Sequence, residues 1–344
     1  EKRKAVSGQI VTAEITAFPT RQLGAKGRIT EILGDHMDPG LEIDVAIRSH
    51  GIPFEWPDAV LHEAGHLEAE PLEKDKKHRV DLRKLPFVTI DGEDARDFDD
   101  AVYCEPRNDS KNKGWKLIVA IAEVAHYVDV GTPLDNEGYE RATSVYFPGR
   151  VVPMLPESLS NGLCSINPDV DRLCMVCEMF INGQGEIESY DFREAVMRSY
   201  ARLTYTQVAQ ALEDDATGEI SADIYPHISN LNEMYRALSA ARIQRGTIEF
   251  DTTETMIHFT DDKRIESIRP AVRNEAHKII EECMISANVC AAKFIAKSKY
   301  PCLYRVHEDP TDEKIEDLRG FLSELDLKLG APSRKISSSD FAEL

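Results

Sequence analysis

Apolar residues occupy alternate positions in two stretches of the first 55 residues, 11–15 and 43–47. A period of two is typical of a β-strand with one buried face. Turn-forming segments rich in glycine and proline, 18–27 and 33–40, separate these stretches from one another. Short strands with such turns predict a small β-barrel, and the OB type is one candidate among several.

A charged, helix-prone segment covers residues 58–84 and predicts a connection between two domains. Its mixed-charge run "EKDKKHR", 73–79, is typical of a solvated face more than of a nucleic-acid site. At 344 residues, the chain is long enough for two domains that each have their own core.

Beyond residue 84, the apolar pattern predicts strands and helices. The predicted strands are 85–90, 101–105, 115–124, 173–181 and 246–250. The predicted helices are one capped by Thr132 with Pro133 at its first position, one at 225–244 that ends before Gly246, and one at 272–298. Apolar residues cover more than one face of 272–298, so we expect this helix to be buried. Residues 147–172 lack periodicity, and long irregular segments inside a domain are often functional.

The composition is that of a folded protein. Hydrophobic residues make up 42% of the chain, and no apolar run reaches the roughly 18 to 20 residues that a membrane helix needs. The N-terminal "EKRKAVSGQI" lacks the long apolar core of a signal peptide. We therefore expect a cytoplasmic protein that does not associate with a membrane.

The seven cysteines do not form an evenly paired framework. Cys174 and Cys177 form a CxxC motif, but no second CxxC or CxxH is present to complete a zinc site. The apolar residues around the motif favour a buried strand over metal or redox chemistry.

The formal net charge of −20 argues against a basic surface that coats nucleic acid. Residues 1–84 hold 13 Lys and Arg against 15 Asp and Glu, whereas residues 85–344 hold 28 against 46. The acidic excess therefore lies in the second segment. This segment either repels polyanions or binds them through metal ions and a locally basic channel, and composition leaves both alternatives open.

The strongest chemical signal is "TIDGEDARDFDDAV", 89–102, where six carboxylates fall within ten positions between two predicted strands. Two carboxylates ~5 Å apart repel by roughly 3 kcal/mol at an effective dielectric near 20. Hard divalent cations with oxygen ligands relieve such repulsion, and the spacing does not fit an EF-hand calcium loop. The segment predicts either a Mg²⁺ or Mn²⁺ site for hydrolysis at phosphorus, or an acidic surface loop capped by Arg96 and nearby lysines.

Strand geometry limits how these carboxylates can meet. If 97–100 is extended, Asp97 and Asp99 share one face while Asp100 points to the other. A turn or bulge is then needed for the three to converge. Asp91 joins them only if the chain loops back, which Gly92 would favour.

The string "TIDGEDARDFDDAVYCE" resembles the signature of the RNase II/RNase R (RNB) family of exoribonucleases, and it is most similar to the RNase R branch. The match continues through "VAIAEVAHYV", "TSVYFPGRVVPMLPESLSNGLCSINPDVDRLCMVCEM", "ARLTYTQV", "RNEAHKIIEECMISANVCAA" and "YRVHEDP". It covers about residues 80–344. The residues before about 70 are similar to the cold-shock domain that precedes the catalytic domain in this family.

The resemblance implies an α+β chain in three parts. These are an OB-type cold-shock β-barrel at 1–70, a linker at 71–84, and the N-terminal part of a mixed α/β RNB catalytic domain at 85–344. The implied activity is processive 3′-to-5′ hydrolysis of single-stranded RNA to nucleoside 5′-monophosphates, in the course of RNA turnover. The implied cofactor is one or two Mg²⁺ ions, with Mn²⁺ as an alternative.

The family's functional residues carry over position by position. Its four metal-binding and catalytic aspartates fall on Asp91, Asp97, Asp99 and Asp100. Asp99 matches the aspartate whose loss in relatives blocks cleavage while sparing RNA binding. Glu93 and Asp94 lie within the motif without an assigned role.

Three further residues match RNA contacts of the family. Tyr146 and Phe250 match an aromatic pair that stacks on the terminal bases, a contact that tolerates any sequence. Glu281 matches the glutamate that contacts the 3′-terminal nucleotide. On pattern alone, an aromatic residue on a strand is more often part of the core. A structural ion pair also remains an alternative for Glu281, and the HxxxE spacing from His277 is a weak metal signal.

The family also has parts that lie downstream of the matched region. These are an arginine at the scissile phosphate and a C-terminal OB-type RNA-binding domain, so we expect this chain to be part of a longer enzyme. Two other hypotheses about the function stay open. The intact aspartates argue against a catalytically silent RNA-binding protein, and the OB-like domain and aromatic pair argue against a phosphohydrolase of small molecules.

Overall fold

The computed structural model describes residues 5–36, 38–109, 112–214, 218–248, 254–260, 262, 264–330 and 336–344. The strands are β1 (Gln9–Ala17), β2 (Lys26–Asp35), β3 (Val80–Asp81), β4 (Phe87–Asp91), β5 (Asp100–Asp109), β6 (Asn112–Ala122), β7 (Val145–Phe147), β8 (Arg150–Val152), β9 (Asp171–Asn182), β10 (Ile187–Thr204), β11 (Thr255–Phe259) and β12 (Ile265–Pro270). The helices are α1 (Leu41–Ser49), α2 (Asp58–Ala64), α3 (Glu73–Lys76), α4 (Pro133–Arg141), α5 (Tyr205–Glu213), α6 (Tyr225–Gln244), α7 (Glu275–Ser298), α8 (Asp312–Glu324) and α9 (Ser338–Ala342).

The chain divides into two compact units. The first unit comprises residues 1–67, 128–157 and 253–271, and the second comprises 68–127, 158–252 and 272–344. Within the described ranges, no helix combines the length and the apolar character that a membrane crossing requires.

In the first unit, β1 and β2 pair as an antiparallel two-stranded sheet, with Gln9 opposite Asp35 and Ala17 opposite Lys26. This confirms the strand predicted at 11–15. Three register shifts interrupt the pairing, so the two strands are irregular along their length.

The strand predicted at 43–47 is wrong, because these residues lie in α1. Ile43 and Ile47 are four residues apart, so the same apolar positions fit one face of a helix as well as alternate positions of a strand. Gly40 precedes the helix with a φ of 83°, a conformation that glycine adopts without steric cost. Acidic residues in the first turn and Arg48 in the last turn stabilise the helix, because their charges interact favourably with its dipole.

The segment that carries α4 packs within the first unit although it comes from the middle of the chain. Thr132 caps α4 as predicted, since its side chain accepts a hydrogen bond from the backbone N–H of Asp135. At the other end of the helix, the buried Arg141 donates to the Glu55 carbonyl at 2.8 Å and stacks 3.5 Å from the Trp56 ring centroid. These contacts fix the segment that leads into β7.

The second unit is built on a sheet in which the strands form a closed circuit of pairings, because β10 pairs with both β4 and β9. Neighbouring strands are antiparallel from β4 through β5 and β6 to β9. The long strand β10 then pairs antiparallel with β9 through residues 187–198 and parallel with β4 through 199–204. The strands predicted at 85–90, 101–105, 115–124 and 173–181 are confirmed within this sheet.

Two hydrophobic clusters lie on the two faces of this sheet. The helix-side cluster joins one face to α5, α6 and α7, and it includes Val88, Val102, Leu117, Met179, Leu203, Val208, Ile228, Leu231, Ile279 and Cys283. The loop-side cluster lies on the other face and consists of Phe87, Phe98, Ala101, Tyr103, Ile118, Ala120, Ala122, Ile166, Cys174, Val176, Ala195 and Met197.

The CxxC pair lies in the middle of β9. Cys174 belongs to the loop-side cluster and Cys177 to the helix-side cluster, because residues three apart on a strand face opposite sides. Both side chains are buried. The prediction of a buried strand at this motif is therefore confirmed.

Two helix predictions for the second unit have different outcomes. The helix at 225–244 is confirmed as α6. The helix at 272–298 is confirmed as α7, but the expectation that it is buried is wrong for its C-terminal half, where Val289 and Phe294 remain 41% and 47% exposed. The strand predicted at 246–250 is absent from the described residues 246–248, and Glu249 and Phe250 lie outside the described residues.

The charged run 73–79 is less solvated than expected. The side chains of Lys76 and Arg79 are only 11% and 5% exposed, because Lys76 pairs with Asp171 and Arg79 with Glu123. The predicted solvated face is wrong for these two residues, which instead attach this run to the sheet of the second unit.

Candidate functional site

The acidic segment forms an irregular loop at one end of the second unit's sheet. Asp91 is the last residue of β4, Asp100 is the first residue of β5, and residues 92–99 belong to neither strand. A turn begins at Gly92, whose carbonyl accepts a hydrogen bond from the Ala95 N–H at 3.2 Å. The loop therefore supplies the turn that strand geometry requires before these carboxylates can approach one another.

Phe98 anchors this loop in the loop-side cluster, where it is only 4% exposed. Its N–H donates to the Ser165 hydroxyl at 3.0 Å, and its carbonyl accepts from the Ile166 N–H at 2.8 Å. With Phe98 turned into the core, the neighbouring Asp99 is exposed. Phe98 was not predicted as a site residue, although an apolar residue between carboxylates is a signal that it anchors them.

The irregular segment 147–172 contributes the groups that hold Phe98. Ser165 is fully buried, and its carbonyl accepts a hydrogen bond from Arg172 Nε at 2.7 Å. Arg172 also donates to the Gly162 carbonyl at 3.0 Å. Through Ser165 and Ile166, this segment fixes the loop backbone at Phe98, between Asp97 and Asp99. A wider functional role for the segment stays a prediction.

Burial and neighbouring aspartates raise the pKa values of three aspartates of the loop. Burial and then the charge of Asp97 raise the pKa of Asp91, although the Gly92 N–H partly offsets this effect. Burial, followed by the charges of Asp97 and Asp91, raises the pKa of Asp99, although part of this residue remains exposed to solvent. Burial, Asp91 and Asp99 together raise the pKa of Asp100 to about 6. These three aspartates therefore lie close enough for their charges to repel.

The residue types of the acidic loop are those that bind a hard divalent cation. Among the described residues, no basic side chain and no hydrogen-bond donor contacts the carboxylate of Asp99 or Asp100. Carboxylate oxygens without nitrogen or sulfur ligands suit Mg²⁺ or Mn²⁺ rather than zinc. In the described part of the chain, no three His, Cys, Asp or Glu side chains are grouped closely enough to hold a metal ion. The metal site therefore stays a prediction.

Glu281 lies on α7 in a network of ion pairs. Its carboxylate contacts the guanidinium of Arg273 and lies 3.5 Å from Arg242 Nη1. Arg242 also contacts Glu282 at 2.5 Å. The ion pair that sequence analysis left as an alternative is therefore present, while about a third of the Glu281 side chain remains exposed. The predicted RNA contact stays a prediction.

His277 has a structural role at the start of α7. Its Nδ1 lies 2.7 Å from the Asn274 side-chain oxygen within the helix capping box, and its ring stacks on Tyr205 at 3.8 Å between centroids. In the HxxxE motif, His277 is therefore a capping residue and Glu281 is an ion-paired residue. Both belong to the second unit, as the four aspartates do.

The structure describes only one of the two aromatic residues that are predicted to stack on RNA bases. Tyr146 lies on β7 of the first unit and is 64% exposed, so the alternative that it is a core residue is wrong. Phe250 lies outside the described residues. Stacking on RNA bases stays a prediction for both residues.

Comparison with known proteins identifies two domain types in this order. A family model described as the cold shock domain matches residues 1–57, and one described as the RNB domain matches residues 79–343. This confirms the predicted cold-shock domain followed by an RNB domain of mixed helices and strands. The boundaries placed at residues 70 and 84 stay a prediction.

Individual relatives agree with the family models. Ribonuclease R of Vibrio parahaemolyticus is 52% identical over 344 residues, which are all of this chain and 41% of that protein. The structure of Mycoplasma genitalium RNase R in complex with ribose methylated single-stranded RNA matches with a TM-score of 0.92 and 31% identity, over 99% of this chain and 53% of that one. Yeast Ssd1, a pseudonuclease, matches with a TM-score of 0.68 and 18% identity, over 95% and 40% of the two chains, which shows the fold alone. The chain spans about two fifths of the length of the curated relatives it matches.

Proposed function

Because the chain belongs to the RNB family, we propose that it is part of a 3′-to-5′ exoribonuclease that hydrolyses single-stranded RNA processively to nucleoside 5′-monophosphates. The observation that carries this proposal is the loop 91–100, where burial and the charges of neighbouring aspartates raise the pKa values of Asp91, Asp99 and Asp100. The similarity to ribonuclease R over the whole chain supports the same reaction. The proposal includes a cytoplasmic location and a role in RNA turnover.

Each predicted site residue has a role in this proposal. Asp91, Asp97, Asp99 and Asp100 hold one or two Mg²⁺ ions, for which Mn²⁺ can substitute. With Mg²⁺ held by these aspartates, the site would have Lewis-acid stabilisation of the scissile phosphate and a water nucleophile of lowered pKa. Tyr146 and Phe250 stack on bases near the RNA 3′ end, and Glu281 contacts the terminal nucleotide.

The proposal extends to the organisation of the longer protein. A cold-shock domain at 1–70 and a linker at 71–84 precede the catalytic domain, of which residues 85–344 are a part. The remainder of that domain and a C-terminal OB-type RNA-binding domain belong to the same longer chain. They supply the arginine that acts at the scissile phosphate. They also supply RNA-binding surface in addition to that of this acidic segment.

Cleavage of end-labelled RNA by the full-length protein tests the proposed reaction. With Mg²⁺, a 3′-labelled strand should release its label at once as a mononucleotide, and a 5′-labelled strand should be converted directly to a short end product. Internal fragments from both substrates would contradict an exonuclease. RNA binding without products, with any divalent metal, would leave RNA binding as the activity.

The matched variants Asp99→Asn and Asp94→Asn test the site assignment. Asp99→Asn removes a proposed metal ligand and should slow cleavage about 10³-fold, equal to about 4 kcal/mol in the barrier, while RNA affinity is retained. Asp94→Asn removes a charge from the same loop at an exposed position without a proposed role, so it should cleave as the wild type does. Equal rates for the two variants would show that the assignment of Asp99 is wrong.

A further inference from the structure

A β-bulge in β10 determines which face of the sheet its last residues occupy. The pairing of β10 with β4 shifts between Ser199 and Ala201. Before the shift, Met197 packs in the loop-side cluster, whereas after it Leu203 packs in the helix-side cluster. These two residues are an even number apart and would share one face of a regular strand. The shift therefore reverses the alternation, and Arg202 is placed on the loop side.

Arg202 binds the acidic loop from that side. Its Nη2 donates hydrogen bonds to the backbone carbonyls of Glu93 and Ala95, each at 2.9 Å. Its guanidinium also lies 4.7 Å from the centroid of the Phe98 ring. One side chain thus contacts two points of the loop backbone and the residue that anchors the loop in the core.

These contacts suit arginine in particular. A planar guanidinium presents donors in a fixed fork and stacks on an aromatic ring with its face, which a lysine ammonium does not do. Hydrogen bonds from a charged donor are stronger than those between neutral groups. Arg202 therefore restrains the loop through its backbone and through Phe98.

We infer that Arg202 is a positioning residue of the candidate site, which holds the backbone of residues 93–95 so that the aspartates on both sides of it can bind one divalent cation. Arg202 itself contacts carbonyls and a ring and touches no proposed ligand. The inference rests on the proposed function in assigning metal binding to the aspartates. It goes beyond that function in assigning the geometry of the loop to a residue of β10.

Mn²⁺ binding to the full-length protein, followed by electron paramagnetic resonance of the free ion, tests this inference without RNA or turnover. Loss of a residue that orients metal ligands lowers metal affinity about 10- to 100-fold. Arg202→Ala should show a loss in this range, and Arg202→Lys, which keeps the charge but not the fork, should fall between Arg202→Ala and the wild type. Arg193→Ala removes an arginine of the same strand that pairs with Asp191 at 2.7 Å, and it should bind Mn²⁺ as the wild type does.

RNA cleavage at varied Mg²⁺ concentrations separates positioning from a general loss of folding. Arg202→Ala should need about tenfold more Mg²⁺ or more for half-maximal rate and should recover much of the wild-type rate at saturating Mg²⁺. A lower rate with an unchanged Mg²⁺ requirement would overturn the inference, as would Mn²⁺ affinity equal to that of the wild type.

Hydrogen–deuterium exchange distinguishes failure of this inference from failure of the proposed function. In the metal-free protein, Arg202→Ala should speed exchange of amides in residues 92–99 and leave those of β9 unchanged. If the wild type neither binds Mn²⁺ nor cleaves RNA, the proposed function fails, and faster exchange in the variant still supports restraint of the loop by Arg202. Unchanged exchange in 92–99 would overturn that restraint even if the wild type is an active nuclease.

Discussion

Asp171 and Asp100 are two aspartates of the second unit whose pKa values are shifted in opposite directions, although burial acts to raise both. Burial by itself would raise the pKa of Asp171, but hydrogen bonds from Arg198 and Lys76 outweigh it and lower the pKa. Arg83 also donates to this carboxylate. Burial raises the pKa of Asp100 to about 6, and its aspartate neighbours add to the effect.

The difference lies in what neutralises each carboxylate. Three basic side chains surround Asp171, so its charge is balanced within the protein and serves to join residues 76–83 to β9 and β10. No basic side chain of the described residues contacts Asp100, so protons or cations from solution must balance its charge. A buried carboxylate with internal partners is typical of a structural role, whereas one without them is a candidate for function.

Removing Asp171 should have the largest effect on stability. The variant Asp171→Ala leaves three basic groups around a site where the Asp171 side chain is 8% exposed, and loss of one partner from a buried pair costs about 3–5 kcal/mol. The control Asp81→Ala removes a 53% exposed partner of Arg83 and should cost up to about 1 kcal/mol. Urea unfolding measures both variants. A similar loss for the two would mean that burial does not distinguish Asp171.

Neutralising Asp100 should have the opposite effect on stability. At pH 7.5 without metal ions, ionised Asp100 destabilises the fold by about 3 kcal/mol, since its pKa rises from 3.8 to about 6. Asp100→Asn should therefore raise the free energy of unfolding by up to that amount in EDTA, while cleavage of RNA is lost. A less stable variant would show that Asp100 has a structural partner like those of Asp171.

The pH dependence of stability should separate the two aspartates. Between about pH 4 and 6, the folded protein binds more protons at Asp100 than the unfolded chain does, so the stability of the metal-free protein should fall as the pH rises through this window. Asp100→Asn should remove about 3 kcal/mol of that fall. The contribution of Asp171 has the reverse sign and is lost only below about pH 4, as the pH falls through its lowered pKa. Parallel pH profiles for the wild type and Asp100→Asn would contradict the shift.

Mg²⁺ should stabilise the protein through the acidic loop. A ligand that binds only the folded state at 100 times its dissociation constant adds about 2.7 kcal/mol. We expect this gain in thermal unfolding of the wild type at pH 7.5 and its loss in Asp99→Asn. Stabilisation should also weaken towards pH 5, because protons compete for carboxylates whose pKa values are raised. An equal gain in Asp99→Asn would place the bound ion elsewhere.

The sequence predicts those features that neighbouring residues determine. The strands β4, β5, β6 and β9 follow from apolar runs between turns, and α4 follows from the Thr132 cap. The acidic loop is visible because its carboxylates are close together in the chain. At α1, by contrast, the apolar spacing satisfies both a strand and a helix, so the pattern alone could not decide between them.

The groups that hold the acidic loop could not be predicted, because they come from distant parts of the chain. Ser165 lies 67 residues from Phe98, and Arg202 lies 109 residues from Glu93. The position of Arg202 also depends on a bulge in β10 that the sequence pattern does not reveal. A list of site residues taken from a contiguous motif therefore contains the chemical groups without the residues that orient them.

Glu281 is a third carboxylate that lies between these two cases, and its neighbour Glu282 provides the control. Glu281 contacts two arginines but is 36% exposed, whereas Glu282 is 7% exposed and contacts Arg242. Glu281→Gln should change stability by less than about 1 kcal/mol and weaken RNA binding by about 1.4 kcal/mol, or tenfold. Glu282→Gln should lose stability and keep RNA affinity. If urea unfolding and RNA titration show that Glu281→Gln behaves as Glu282→Gln does, Glu281 belongs with Asp171 as a structural carboxylate.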